Sequence, residues 1–432
     1  MNSAVSAPRA RRRSRALRCG LLCGVLLWLA PAAAAQAGSA RGASAAIAPP
    51  ALAVTGASLT VADTGQRLYG IHPDRRLLIA STTKLMTALV VFQHVHDFST
   101  IFTHPDWRAA PDDSQIGLVP GERMSVHDLM LALLLPSADD AAYDLAYNVG
   151  HGSVARFVAE MNADAVALGL HHTHYANPIG FDQAGNYSSP YDLTRLAAYM
   201  LAHHPFFARA VALTHATLHT GDYVREITNT DTLLGVHPWI TGVKTGHTDA
   251  AGYILVSSGT RHGLTLVASV LGTTSEAARN ASALALLGYG FAAFRPVAPL
   301  HRGQVLARLP VREEHRRAAV VADAGWRRVV PRFARVRLAL ALPRMLAGPR
   351  AARTRVGTAT VLVNGRAAAR VALVLSRRVP AVPLLTRLAR AAVGPTTLGG
   401  LALCVGLLLA VLALRRRRGS ADARRRAELE AR

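Results

Sequence analysis

The pattern of apolar and polar positions divides the chain into distinct stretches. Two short runs, Ala57 to Val61 and Arg67 to Ile71, flank Asp63-Thr64-Gly65 and predict a β-hairpin. From Thr82 to about His94 apolar residues recur at helical spacing. The same spacing dominates from Ser125 to His204, interrupted at Pro136 and across Asn177 to Ser189. Strand character returns at Ile240 to Lys244, Tyr253 to Ser257 and Leu264 to Leu271, and a helix is expected over Thr274 to Phe291. Strands first, helices in the middle and strands last predict an α+β domain over residues 51–296 whose terminal segments share one sheet. After Arg295-Pro296 the character changes. Short alternating runs at Ala318 to Val321, Val336 to Leu340 and Thr358 to Val363, separated by Gly, Pro and Arg, predict a small all-β domain over residues 297–380.

The two ends read differently. Arg11-Arg12-Arg13-Ser14-Arg15, an uncharged run from Cys19 to Ala35 and the closing Ala35-Gln36-Ala37 predict a secretory signal peptide over residues 1–37, exported by the ordinary Sec route. An Ala-, Gly- and Ser-rich linker follows at 38–50. Residues 391–414 carry no charge and are long enough to cross a bilayer, and four arginines, Arg415 to Arg418, follow at once. The positive-inside rule makes 415–432 a cytoplasmic tail. It predicts a single-pass protein of the cell membrane with its catalytic domain on the extracytoplasmic face. All three cysteines, Cys19, Cys23 and Cys404, fall in the two apolar segments, so the exported part is expected to fold without disulfides.

Composition narrows the function. At 432 residues, with 51% hydrophobic and 17% charged residues, the chain is neither a single small binding module nor disordered. The formal net charge of +23 calls for anionic neighbours. Export makes nucleic acid an improbable partner, which leaves lipid headgroups and wall polymers. Of the 49 basic residues only Lys84 and Lys244 are lysines. A bias toward Arg explains the rest but not these two. Lysine can be shifted to a neutral base and arginine cannot, so the survivors are candidates for chemistry.

Three short motifs use them. In Ser81-Thr82-Thr83-Lys84, residues three apart on a helix share a face, so Lys84 can meet the Ser81 hydroxyl and accept its proton. Ser137-Ala138-Asp139 follows the break at Pro136. Ser137 there can shuttle a proton to a leaving amine or simply cap the next helix, with Asp140 favouring its positive end. In Lys244-Thr245-Gly246, on an expected strand, Gly246 lets a substrate backbone approach, Thr245 offers a hydroxyl and Lys244 supplies positive charge for a carboxylate. The 18 histidines suggest a zinc peptidase only superficially, because clusters such as His171-His172-Thr173-His174 lack an H-E-x-x-H pattern. No metal and no cofactor is expected.

With the motifs in this order, the chain resembles the penicillin-interacting serine enzymes. Residues 80–87 and 242–253, together with Leu118-Val119-Pro120-Gly121-Glu122 and Asn177-Pro178-Ile179-Gly180, resemble the low-molecular-mass D-alanyl-D-alanine carboxypeptidases. The similarity runs over roughly residues 52 to 294, and the β domain around Val356-Gly357-Thr358 resembles the family's C-terminal domain. The resemblance implies the serine β-lactamase-like fold, an antiparallel sheet flanked by helices. It implies that Ser81 attacks the bond between the terminal D-alanines of a peptidoglycan stem peptide with Lys84 as base, and that β-lactams acylate the same serine. The backbone N–H groups of Ser81 and His247 would form the oxyanion hole. Ser137 and Lys244 would help pass the proton to the departing D-alanine, while Lys244, Thr245, Gly246, His247 and Asp139 would contact substrate. Family members usually carry Asn where this chain has Asp139, and often again at Asp231. A catalytically weak penicillin-binding or wall-scaffolding protein is therefore the alternative reading, with a DD-endopeptidase or a β-lactamase behind it. The E-x-x-L-N segment of class A β-lactamases is absent between the second and third motifs.

Overall fold

The computed structural model describes residues 47–312, 316–381, 383–386 and 395–430. The expected signal peptide, and the expected linker up to residue 46, lie outside the described residues. The expected hairpin is present as β1 (Gly56–Val61) and β2 (Arg67–Ile71), with Gly65 in the left-handed region at its turn. A 3-10 turn, Ala80–Thr83, runs directly into α1 (Lys84–His94). A small ribbon, β3 (Ile101–Thr103) with β4 (Arg123–Ser125), precedes α2 (Val126–Leu134), α3 (Asp139–Val149), α4 (Val154–Ala167), α5 (Pro190–His203) and α6 (Pro205–Ala210). A second ribbon, β5 (His215–Leu218) with β6 (Arg225–Thr228), leads to β7 (Ile240–Thr248), β8 (Gly252–Arg261), β9 (Leu264–Thr273) and α7 (Glu276–Ala293). Both ribbons escaped the sequence pattern because their strands are only three or four residues long.

The five long strands form one antiparallel sheet in the order β2-β1-β9-β8-β7, so the first and last strands of this part share one sheet, as expected. The sheet is covered on both faces. Leu59, Leu255 and Leu266 pack with Leu286 and Leu287 of α7, while Val256 and Val267 join the core built around α1, α2 and α5. β1 alternates apolar Ala57, Leu59 and Val61 with polar Ser58 and Thr60, yet it is buried along its whole length because α5 packs on its polar face. The Thr60 hydroxyl meets that of Thr194 on α5 at 2.7 Å. Four helices, α2, α4, α5 and α7, start at a serine whose hydroxyl accepts an N–H three residues on, and Pro190 follows one of these caps at the first helical position.

The chain passes from α7 straight into β10 (Phe294–Leu300), which runs through the expected boundary at residues 296 and 297 and pairs with β13 (Trp326–Pro331). A five-stranded antiparallel sheet, β11-β12-β16-β15-β14, makes up the rest of the β part: β11 (Val305–Pro310), β12 (Arg317–Ala322), β14 (Val336–Ala341), β15 (Arg355–Val363) and β16 (Arg366–Leu375). Gln66, beside the first hairpin, exchanges two hydrogen bonds with the backbone of Val329 and ties the two parts together. Finally α8 (Pro395–Glu430) contains one stretch, Gly399–Ser420, long and apolar enough to span a membrane, with a mean hydropathy of 1.8. The uncharged part of α8, residues 395–414, has 20 residues and rises about 30 Å, the thickness of a bilayer hydrocarbon core.

One ion pair locks the segment before α2 to the second ribbon. Arg225 holds both oxygens of Glu122, at 2.8 and 3.0 Å, with both side chains buried. Burial opposes the Glu122 charge, but Arg225 and the N–H groups of Asp222 and Val119 hold its carboxyl below the usual range. Arg225→Met is expected to destabilise the fold by about 3–5 kcal/mol, because a buried carboxylate is left without its partner. Urea unfolding of the detergent-solubilised chain measures this, and adding Glu122→Gln should recover part of the loss.

Candidate active site

Ser81 sits in the 3-10 turn, where residue i and residue i+3 eclipse, and this brings Lys84 Nζ to 2.9 Å from Ser81 Oγ. The turn is held tightly. Ala80 adopts φ 44°, and Gly180, at φ +110°, packs so closely that a Cβ there would lie 2.1 Å from Ala80 O and 2.8 Å from Ser81 N. Gly246 brings β7 against the other side of the turn, where a Cβ would meet Ile79 O and Ser81 N at 3.2 Å. Only glycine fits at 180, which accounts for the Asn-Pro-Ile-Gly segment. Asn177 Oδ1 accepts from the N–H groups of Ile179, Gly180 and Phe181 and sets that loop's shape.

Ser81 is half-buried, whereas Lys84 is 0% exposed. Besides Ser81, Lys84 Nζ reaches Asp139 Oδ1 at 2.5 Å and the carbonyl oxygen of Ile179 at 2.9 Å. Burial pulls the lysine pKa down and the Asp139 carboxyl partly opposes this. Asp139 is pushed up by the same burial, with Lys84 opposing. Loss of water thus penalises both charges, so the ion pair and the neutral pair lie closer in energy than in solution, and one proton belongs to the pair.

Ser137 lies in the left-handed region at φ 70°, with its hydroxyl buried and without a hydrogen-bond partner among the described residues. It does not cap α3. The cap position falls to Ala138, with no side-chain bond. Asp140 stands in the first turn of α3, as expected, where it accepts the N–H of Ala141, and it also accepts the N–H groups of Ile116 and Leu118 and pins the segment carrying Asp112, Asp113 and Ser114 beside the cleft.

β7 brings the third motif to the opposite wall. Thr245 Oγ1 lies 2.6 Å from Thr230 Oγ1, and Lys244 is buried with its Nζ donating to the Thr245 carbonyl at 3.2 Å. Burial, with Lys84 nearby, drives the Lys244 pKa well down. Asp231 lies behind this wall, its carboxyl raised by burial and one of its oxygens unpartnered among the described residues.

The eight expected residues therefore converge. Ser81, Ser137, Asp139, Thr245, Gly246 and His247 line a single cleft of about 480 Å³, and Lys84 and Lys244 lie buried against it. Sequence reasoning missed Arg279. In Glu276-Ala277-Ala278-Arg279 it reads as an ordinary i, i+3 surface pair, yet it is 4% exposed and lines the cleft beside Thr230 and Thr245. Thr230 was missed as well, because only the folded chain places its hydroxyl on that of Thr245.

The sequence profile of the D-alanyl-D-alanine carboxypeptidase family matches residues 43–275. The D-alanyl-D-alanine carboxypeptidase of Streptomyces sp. strain K15 is 36% identical over 262 residues, covering 57% of this chain and 90% of the relative. D-alanyl-D-alanine carboxypeptidase DacF of Bacillus subtilis is 32% identical and is covered over 65% of its length. Among solved structures, penicillin-binding protein 5 from Haemophilus influenzae superposes with a TM-score of 0.66 at 27% identity, covering 78% of this chain and all of that one. The Streptomyces K15 DD-transpeptidase gives 0.54 at 35% identity, covering 57% of this chain and all of that one. Members of the family act on the D-Ala-D-Ala peptides of peptidoglycan and bind β-lactams. With a profile matching over half its length and the cleft assembled around Ser81 and Lys84, the chain belongs to the D-alanyl-D-alanine carboxypeptidases, a family of serine peptidases.

Proposed function

We propose that this protein removes the terminal D-alanine from peptidoglycan stem peptides through an acyl-enzyme on Ser81. The observation that carries this is the 2.9 Å approach of a fully buried Lys84 amine to the Ser81 hydroxyl. A lysine whose pKa is lowered by burial can take the serine proton as Oγ adds to the penultimate carbonyl. The oxyanion is stabilised by the backbone N–H groups of Ser81 and His247. The unpartnered hydroxyl of Ser137 relays the proton to the departing amine, D-alanine leaves, and water deacylates Ser81. Lys244, Thr245 and Arg279 receive the substrate's terminal carboxylate, which restores the charge that burial disfavours on Lys244. The Streptomyces relative, named both carboxypeptidase and DD-transpeptidase, favours a second reading in which an amine competes with water for the acyl group.

The reading includes the cell envelope. Residues 1–37 direct export, α8 anchors the chain, and the arginines after residue 414 hold the C-terminus in the cytoplasm, so the cleft works outside the membrane.

Incubation of the purified full chain with a pentapeptide ending in D-Ala-D-Ala should release D-alanine, and Ser81→Ala should release none. Addition of a glycine acceptor separates hydrolysis from transfer. A parent chain that neither releases D-alanine nor becomes labelled by fluorescent penicillin would be a scaffold.

Lys84→Arg keeps the charge but removes the base. Penicillin labelling of Ser81 should fall more than about 100-fold, the scale of general-base contributions, with circular dichroism unchanged. Labelling at the parental rate would remove Lys84 from the role.

Asp139 sets where that base titrates. Its carboxylate favours the lysine ammonium, so Asp139→Asn takes away a contribution that raises the Lys84 pKa and lets burial lower it further. The rising limb of the acylation rate against pH should move to lower pH in the variant, with the two profiles converging in alkali where Lys84 is neutral in both. Superimposable profiles from pH 5 to 9 would show that Asp139 does not tune Lys84.

A further inference from the structure

Most of the chain's positive charge lies away from the cleft. Between residues 297 and 380 eighteen arginines face three acidic residues. The pairing of β12 with β16 carries the segment after Leu375 alongside the start of β12, with Ser376 N donating to Ala319 O. The β11–β12 hairpin and this exit segment enclose a groove of about 610 Å³. Its rim carries Arg308, Arg316, Arg317, Arg377 and Arg378, all exposed, over an apolar floor that includes Val311 and Val379.

No described carboxylate pairs with any of the five. Arginines elsewhere in the β part do find one, Arg353 on Asp323 and Arg327 on Asp63. Glu313 and Glu314, the nearest acids in sequence, leave the rim arginines in excess five to two. Five guanidinium groups around one groove repel each other, and an anion inserted among them is strongly favoured. The planar fork of arginine matches phosphate oxygens in particular. An apolar floor beneath a cationic rim fits an amphiphile better than a free ion.

The groove's position selects the amphiphile. Its wall is the last segment of the β part, and from Pro380 only 15 residues of chain remain to the start of α8 at Pro395. At ~3.5 Å per residue that tether is at most about 50 Å long. Leu384 and Leu385, between groove and helix, are 70% and 81% exposed. We propose that the groove binds the phosphate of anionic phospholipid headgroups, with the glycerol backbone on its floor, and so holds the β part against the bilayer that α8 enters. This rests on the reading of α8 as a membrane anchor.

Native mass spectrometry of the full chain in neutral detergent, titrated with dihexanoyl phosphatidylglycerol, tests it. The combined substitution Arg316→Gln, Arg317→Gln and Arg378→Gln should weaken binding at least tenfold. Arg337→Gln, Arg366→Gln and Arg370→Gln, an equal charge change placed along β14 and β16 away from the groove, should weaken it less than twofold, with both proteins melting like the parent. Equal losses in the two triple variants, or none in the first, would overturn the site in favour of diffuse attraction. Displacement by inorganic phosphate at the lipid's own concentration would make it a free-phosphate site, and tighter binding of poly(glycerol phosphate) would make it a wall-polymer site. Either result overturns the proposal. Retention in phosphatidylcholine vesicles through an alkaline carbonate wash reads the anchor separately. A chain that washes out while still binding phosphatidylglycerol would overturn the tether and leave the groove's lipid affinity standing.

Discussion

The removal of water from one amine organises the catalytic part of this protein. Lys84 has no exposed surface, and its three polar partners come from three separate segments: the turn before α1, the first residue of α3 and the loop at Ile179. None of these segments can shift without leaving a buried polar group unmatched, which costs more than the net worth of the hydrogen bond itself. The glycines at 180 and 246 serve the same end. They let a loop and a strand close on the Ser81 turn from two sides until no room is left for solvent. Chemistry and packing are thus one problem here, because the burial that makes α1 a core helix also lowers the pKa of its first residue.

That arrangement bears on the carboxylate at position 139. An amide would give Lys84 a neutral neighbour, whereas Asp139 adds a second ionisable group to a site already hostile to charge. The N-terminus of α3 eases the carboxylate's position through its dipole. Lys244 eases it in the same direction, while Lys84, sharing the cleft, disfavours the ammonium of Lys244. An anion entering the cleft would change this balance, because it favours the charged form of any lysine it meets.

The sequence made the strands of the main sheet and the three motifs legible for different reasons. β1, β2, β8 and β9 are long enough for their apolar runs to register, and the motifs stand out because both lysines of the chain lie in them. The short ribbons β3–β4 and β5–β6 carried no usable pattern. Arg279 stayed hidden for a deeper reason. Its local neighbour Glu276 offers a complete surface explanation, and only the return of β8 and β9 beneath α7 puts that helix turn at the mouth of the cleft. The role of Asp140 likewise depended on a contact 24 residues back in the chain, with Ile116.

The scarcity of lysine has one more consequence. Both lysine amines of the chain are buried, so the folded surface between residues 47 and 381 displays guanidinium groups where most basic proteins display primary amines. Guanidinium stays protonated and is a poor nucleophile across the ordinary pH range. In a member of a β-lactam-binding family, this composition leaves no exposed lysine among the described residues to compete with the cleft for an acyl group.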